Sequence, residues 1–172
     1  MELINRKRIS FVDRFIEKYS DKLSKYVDMT TVFLDGASIP EDFNIDPDTP
    51  CFVMKPNYKE NRAQIIVNED ICKKFPFTDN ELHALLAHEF GHLFYKAFSC
   101  TQDIEKEFLA DEMACQFGLK EQMISALSRM KASEFYDKNT NEWFLQRINR
   151  LKLPDDVRAR ENNIIARKFT DM

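Results

Sequence analysis

An α+β fold, with a small N-terminal mixed sheet followed by a mostly helical remainder, is the architecture this sequence predicts. Three observations lead to it. Short β-type runs crowd into residues 31–67, apolar residues return every three or four positions through most of the rest, and no linker, repeat or low-complexity tract divides the chain. Residues 1–172 therefore read as one domain, since 172 residues with 44% apolar content and 15 phenylalanines can fill a sizeable core.

Taken in order, Ile9, Val12, Ile16, Tyr19 and Leu23 step by three and four, which predicts an amphipathic helix over residues 3–26. Its apolar stripe could rest on a membrane surface, but the polar face mixes both signs of charge, which favours packing on a core. Three strand-like runs follow, Thr31–Leu34, Cys51–Lys55 and Gln64–Val67, with turn signals at Asp35-Gly36, Ile39-Pro40 and Asp46-Pro47-Asp48. Thr78-Asp79-Asn80-Glu81 then has the form of a capping box, in which the Thr78 hydroxyl meets the N–H of Glu81 and the Glu81 carboxylate reaches back. The helix it opens carries Leu82, Leu85, Leu86, Phe90, Leu93, Phe94 and Ala97 in a stripe wide enough to bury it. Later helices break near Ser99-Cys100, Gly118, Asn139 and Pro154.

Inside the buried helix lies His88-Glu89-Phe90-Gly91-His92. Imidazoles four residues apart on a helix point the same way and can hold one metal ion together. Glu89 lies about 100° around from His88, so it can flank the metal without ligating it and take a proton from a metal-bound water. This H-E-x-x-H pattern is a metalloprotease signature. A catalytic site needs a third protein ligand and an open position. Glu107 and Asp111 share a face of the next helix: Glu107 can complete a His-His-Glu set, and Asp111 can accept an N–H from a ligand imidazole. Cys100 and Cys115 are the alternative ligands, and both acids could instead belong to a solvated face that includes Asp103, Glu105, Lys106 and Glu112. Ala110 leaves room for the two helices to approach. His83, about 140° away from His88, reads as a surface or hydrogen-bonded helix histidine.

Glu81 to His92, followed by Glu107-x-x-Ala110-Asp111, resembles the core of the gluzincin metallopeptidases, especially the HtpX and CaaX-prenyl-protease type. The resemblance covers roughly residues 61–151 and implies a zincin-like fold, in which Ala63–Asn68 would be the edge strand beside the substrate cleft and Arg147-Ile148-Asn149-Arg150-Leu151 the closing segment. The chain departs from that type in lacking its membrane helices, in a shorter connection between His92 and Glu107, and in having no histidine after His92. A short connection is also a feature of the soluble ImmA/IrrE-like peptidases, which cleave dedicated regulators and usually carry E-x-x-A-N where this chain has Glu107-x-x-Ala110-Asp111.

These residues imply a zinc-dependent endopeptidase with one Zn2+ per chain held by His88, His92 and Glu107, with Glu89 as general base and then acid, and a peptide or protein as substrate. The ligand types suit zinc, though iron, manganese and nickel also accept them. Tyr136 and Arg147 are the candidates to stabilise the oxyanion. The alternative is a non-catalytic or regulatory domain that keeps the metal helix as scaffold, against which an intact Glu89 argues.

Charge and composition narrow the rest. A formal net charge of −4 with interspersed signs leaves no electrostatic footprint for nucleic acid, and the Arg6-Lys7-Arg8 run is too short to make one. Gly36, Gly91 and Gly118 form no phosphate-cradling loop, so no nucleotide is expected. Cys51, Cys72, Cys100 and Cys115 make no C-x-x-C pair, and reduced thiols are the default. No segment reaches the ~18 apolar residues of a membrane span, and Asp13, Arg14, Glu17 and Lys18 interrupt any leader-like core, so the expected location is cytoplasmic.

Overall fold

The structure, a computed structural model, describes residues 1–36, 49–96 and 103–170. Its elements run β1 (Leu3–Asn5), α1 (Ser10–Leu23), β2 (Thr30–Asp35), β3 (Cys51–Asn57), β4 (Arg62–Val67), α2 (Glu69–Lys74), α3 (Asp79–Tyr95), α4 (Ile104–Gln116), α5 (Lys120–Ala132), α6 (Lys138–Leu151) and α7 (Asp155–Thr170). The class is α+β, mostly helical, with one four-stranded mixed sheet in the order β1-β2-β4-β3. β1 and β4 flank β2 in parallel, while β3 pairs antiparallel to β4. No helix among the described residues is long and apolar enough to cross a membrane.

The sheet corrects the sequence reading in two places. The first helix does not begin at residue 3: Leu3, Ile4 and Asn5 pair with Thr31, Val32 and Phe33, and α1 starts only at Ser10. Between them Arg8 takes a positive φ of 52°, and the Asn5 side chain both accepts from the Ile9 N–H and donates to the Ile9 carbonyl, a local turn that breaks the helical path. The second correction concerns the sheet edge. Residues 63–68, expected there by resemblance, belong mostly to β4, which lies inside the sheet, and β3 is the edge strand instead. β3 also runs two residues beyond Lys55, through Pro56 and a register shift between Met54 and Asn57, which an edge strand tolerates because the missing N–H costs no ladder bond. The short α2, capped by Asn68 accepting from the Ile71 N–H, had no periodic signal long enough to announce it. The Ile39-Pro40 and Asp46-Pro47-Asp48 turns and the Ser99-Cys100 break lie outside the described residues.

α3 is the axis of the core. Phe90 on α3 stacks at 6.0 Å on Phe15 of α1 and meets Phe33 of β2 at 6.1 Å, all three rings fully buried. Truncating rings packed this way costs about 3–5 kcal/mol. Leu82, Leu85, Leu86 and Leu93 are buried as the stripe predicts, but Phe94 is 39% exposed, and α3 ends at Tyr95 with Lys96 in the left-handed conformation at φ 52°, while Ala97 lies outside the described residues. Gly118, at φ +74°, follows the end of α4 as its composition suggested.

α3 and α4 touch backbone to backbone. A Cβ on Gly91 would lie 2.5 Å from the Ala110 carbonyl oxygen and 2.6 Å from its Cα. That approach, open only to glycine, brings Glu107 and Asp111 on α4 against His88 and His92 on α3. From its other side α4 is fastened by α7, where the buried Arg158 donates to Glu112 at 3.1 Å and Asn162 donates to the same carboxylate at 3.0 Å.

Candidate metal centre

The rotation of α3 is set at its start. The capping box forms as predicted: the Thr78 N–H donates to the Glu81 carboxylate at 2.6 Å and the Glu81 N–H to the Thr78 hydroxyl at 3.3 Å. Glu81 is nevertheless buried, and its other oxygen accepts from Ser125 at 2.5 Å and Arg129 at 2.8 Å on α5. Two turns on, His88 and His92 point together, with their Nε2 atoms 3.1 Å apart. The Glu107 carboxylate closes the triangle, 3.4 Å from His88 Nε2 and 3.5 Å from His92 Nε2. These separations match the ~3.3 Å edge of a tetrahedron whose ligands stand ~2.05 Å from a central zinc-sized ion. His88, His92 and Glu107 are the one group among the described residues whose side chains converge in a way that could hold a metal ion.

Asp111 occupies the expected supporting position. Its Oδ1 lies 2.8 Å from His88 Nδ1, a contact that fixes the ring so that Nε2 faces Glu107. Arg147 has an occupation that the sequence did not suggest. Its guanidinium donates twice to Asp111, at 2.9 and 2.6 Å, and lies 3.0 Å from Glu107, so it holds the two acids in place. Burial opposes ionisation of both acids, but the Arg147 charge and the His88 hydrogen bond outweigh it, lowering the pKa of Asp111 and holding Glu107 well below the usual carboxylate range. Burial and Arg147 likewise oppose the His88 imidazolium, yet the hydrogen bonds to Asp111 and Glu107 and the Asp111 charge raise its pKa to about 9.

Glu89 is 5% exposed and 4.0 Å from His88 Nε2, beside the ligand set but outside it. Burial pushes its pKa to about 7, with the Glu107 charge adding to the rise and His88 and a hydrogen bond from the Val53 N–H opposing it. Cys51, also on β3, places its thiol 3.9 Å from the same carboxylate. These β3 contacts were missed at the sequence level: a backbone N–H carries no residue signal, and Cys51 read only as a reduced thiol. Glu107 and Asp111 are thus balanced by Arg147 and the His88 imidazolium beside a Glu89 that burial pushes toward the protonated acid, and a divalent cation displacing the His88 proton would take over that balance.

The centre forms the floor of a cavity of about 440 Å³ that Tyr136 and Arg147 also line. Tyr136 stacks on Phe75 and meets Phe144 edge-on at 5.0 Å. Of the alternative ligands, Cys115 is a free, half-buried thiol outside the group, its pKa pushed to about 12 chiefly by burial, while Cys100 lies outside the described residues. Cys51 and Cys72 are free thiols as well. His83 is buried and hydrogen-bonded, its Nε2 3.0 Å from the Phe11 carbonyl, and takes no part in the centre. Comparison of the chain with protein-family models, curated proteins and solved structures found no match.

Proposed function

We propose that this protein is a zinc-dependent endopeptidase with a zincin-like fold of gluzincin type, similar to the HtpX and CaaX-prenyl-protease group or to the soluble ImmA/IrrE-like peptidases. The observation that carries the reading is the convergence of His88, His92 and Glu107 with a buried, non-ligating Glu89 alongside, all on the floor of one cavity. His88, His92 and Glu107 would hold the ion, and the donor set fits it: two imidazole nitrogens and a carboxylate, one imidazole oriented by Asp111. Bound there, zinc supplies Lewis-acid chemistry, lowering the pKa of water toward neutrality and polarising a carbonyl. Glu89 accepts the proton of the attacking water and returns it to the departing amine nitrogen. Arg147 keeps Glu107 ionised as a ligand and Asp111 ionised as an acceptor. With Arg147 so engaged, Tyr136 is our candidate to meet the carbonyl oxygen.

Purified without chelator, the protein should carry about one zinc per chain by elemental analysis and cleave members of a peptide library read by mass spectrometry. Failure to retain zinc after reconstitution and desalting removes the metal reading. Zinc retention without cleavage of any peptide leaves a scaffold in place of an enzyme.

The two acids of α4 should respond differently to truncation. Glu107→Ala loses a ligand and with it most zinc binding, whereas Asp111→Ala weakens affinity by about 10–100-fold, the range for removing a group that orients a ligand histidine. Competition against a zinc indicator measures both, and unchanged affinity in Glu107→Ala means that the third ligand is another residue.

A further inference from the structure

We propose that the cavity above the metal centre is a subsite for one large apolar side chain, aromatic in preference to aliphatic, of a peptide laid along β3; the inference rests on the peptidase reading above. Besides the metal centre and Arg147 on the floor, the cavity's polar lining is Thr49, Cys51 and Lys55 on the β3 side and Thr140 of α6. One wall is the β3 edge at Cys51–Val53, and β3 pairs with β4 alone among the described residues; the Val53 N–H is engaged by Glu89, so an extended chain along this edge would pair with the other outward backbone groups. The facing wall consists of Leu127 and Met130 of α5 with Tyr136, Trp143 and Phe144, none of them charged. Its rings are fixed from behind: Phe75 stacks on Tyr136 at 6.1 Å and an interplanar angle of 12°, and Tyr136 stands edge-on to Phe144. A wall held this way is preformed for another ring, and the Met130 thioether can adjust to its edge. A charged side chain packed against this wall, away from Lys55 on the β3 side, gives up its water for apolar contacts, and a small one leaves the lining atoms without contacts. A volume of about 440 Å³ suits a side chain with its flanking backbone and excludes a folded partner.

The test is a calorimetric titration of the zinc-incubated Glu89→Gln protein, which binds without turnover, with four blocked pentapeptides, acetyl-Ala-Ala-X-Ala-Ala-amide, where X is Phe, Leu, Ser or Asp. Emission of Trp143, the only tryptophan of the chain, is followed in parallel to locate the bound ring. The Phe peptide should bind about 10-fold or more tighter than the Ser peptide and shift the emission, with Leu intermediate and Asp weakest. Thr140→Arg, which sets a charge at the cavity rim, and Trp143→Ala, which opens the wall, should each reduce the Phe preference by about 10-fold at an unchanged melting temperature. Equal affinities for the four peptides, no binding heat with any of them, or a preference that survives both substitutions overturns the subsite. A Phe preference in a protein that neither retains zinc nor cleaves removes the peptidase reading and keeps the subsite. Zinc retention and cleavage with indifference to X does the reverse.

Discussion

Glu89→Gln is expected to lower peptide hydrolysis by about 10²- to 10⁴-fold or more while zinc content stays near that of the wild type. The substitution keeps the side-chain volume and the acceptor oxygen that meets the Val53 N–H, and removes only the group that takes the proton. Stability should not suffer. The folded-state pKa of Glu89, about 7, lies above its ordinary 4.5, so without metal the folded chain favours the protonated acid. Stability from this group is therefore full below pH 4.5, falls as pH rises between 4.5 and about 7, and stays lost above, a loss the neutral glutamine escapes. Metal-free Glu89→Gln should melt no lower than metal-free wild type at pH 8. Equal cleavage rates for variant and wild type would sink the assignment of Glu89 as the base.

Gly91→Ala should damage fold and centre together. Its added methyl would meet backbone atoms of Ala110 at 2.5 and 2.6 Å, and backbone cannot swing aside as a flexible side chain does. Overpacking of this kind costs about 1–3 kcal/mol, occasionally more. Relief requires α4 to move off α3, which carries Glu107 and Asp111 away from His88 and His92. A shift of about 1 Å in such a constellation costs about 10²-fold in activity. Thermal melting and zinc titration against Phe94→Ala, a change at a part-exposed position of the same helix, separate this effect from a general loss of helix stability. Wild-type melting and affinity in Gly91→Ala would mean that the helices can part without consequence for the site.

The contrast between these two positions marks what the chain displays openly. His88, Glu89 and His92, the Thr78–Glu81 capping box and the Glu107–Asp111 pair are legible because each relation is contained within one helix and follows from 3.6 residues per turn. Ala110 hinted at a close helix approach, but Gly91 as its opposite half could be recognised only once the two helices were side by side. The parallel pairing of Leu3–Asn5 with β2 joins residues far apart in sequence, and three residues carry too little pattern to compete with the helical period that follows them. The interior place of β4 and the edge place of β3 are likewise products of strand order, to which alternation within a strand is blind. Arg147 was legible as an oxyanion candidate and as part of the closing segment, while its engagement with Glu107 and Asp111 was not.

The burial of α3 has one more consequence, for motion. Three of its polar side chains are tied to three different elements: Glu81 to Ser125 and Arg129 of α5, His83 to the Phe11 carbonyl of α1, and His88 to Asp111 of α4. They act as index pins at successive heights on a shaft. Turning the helix by a single residue, about 100°, would withdraw all three at once and strand buried polar groups inside the core. Rotation of α3 would therefore carry the cost of stranding these groups, which holds His88, Glu89 and His92 in register on the cavity floor. Opening or closing of the cavity without that cost would have to come from its walls, β3 and the α5–α6 turn carrying Tyr136.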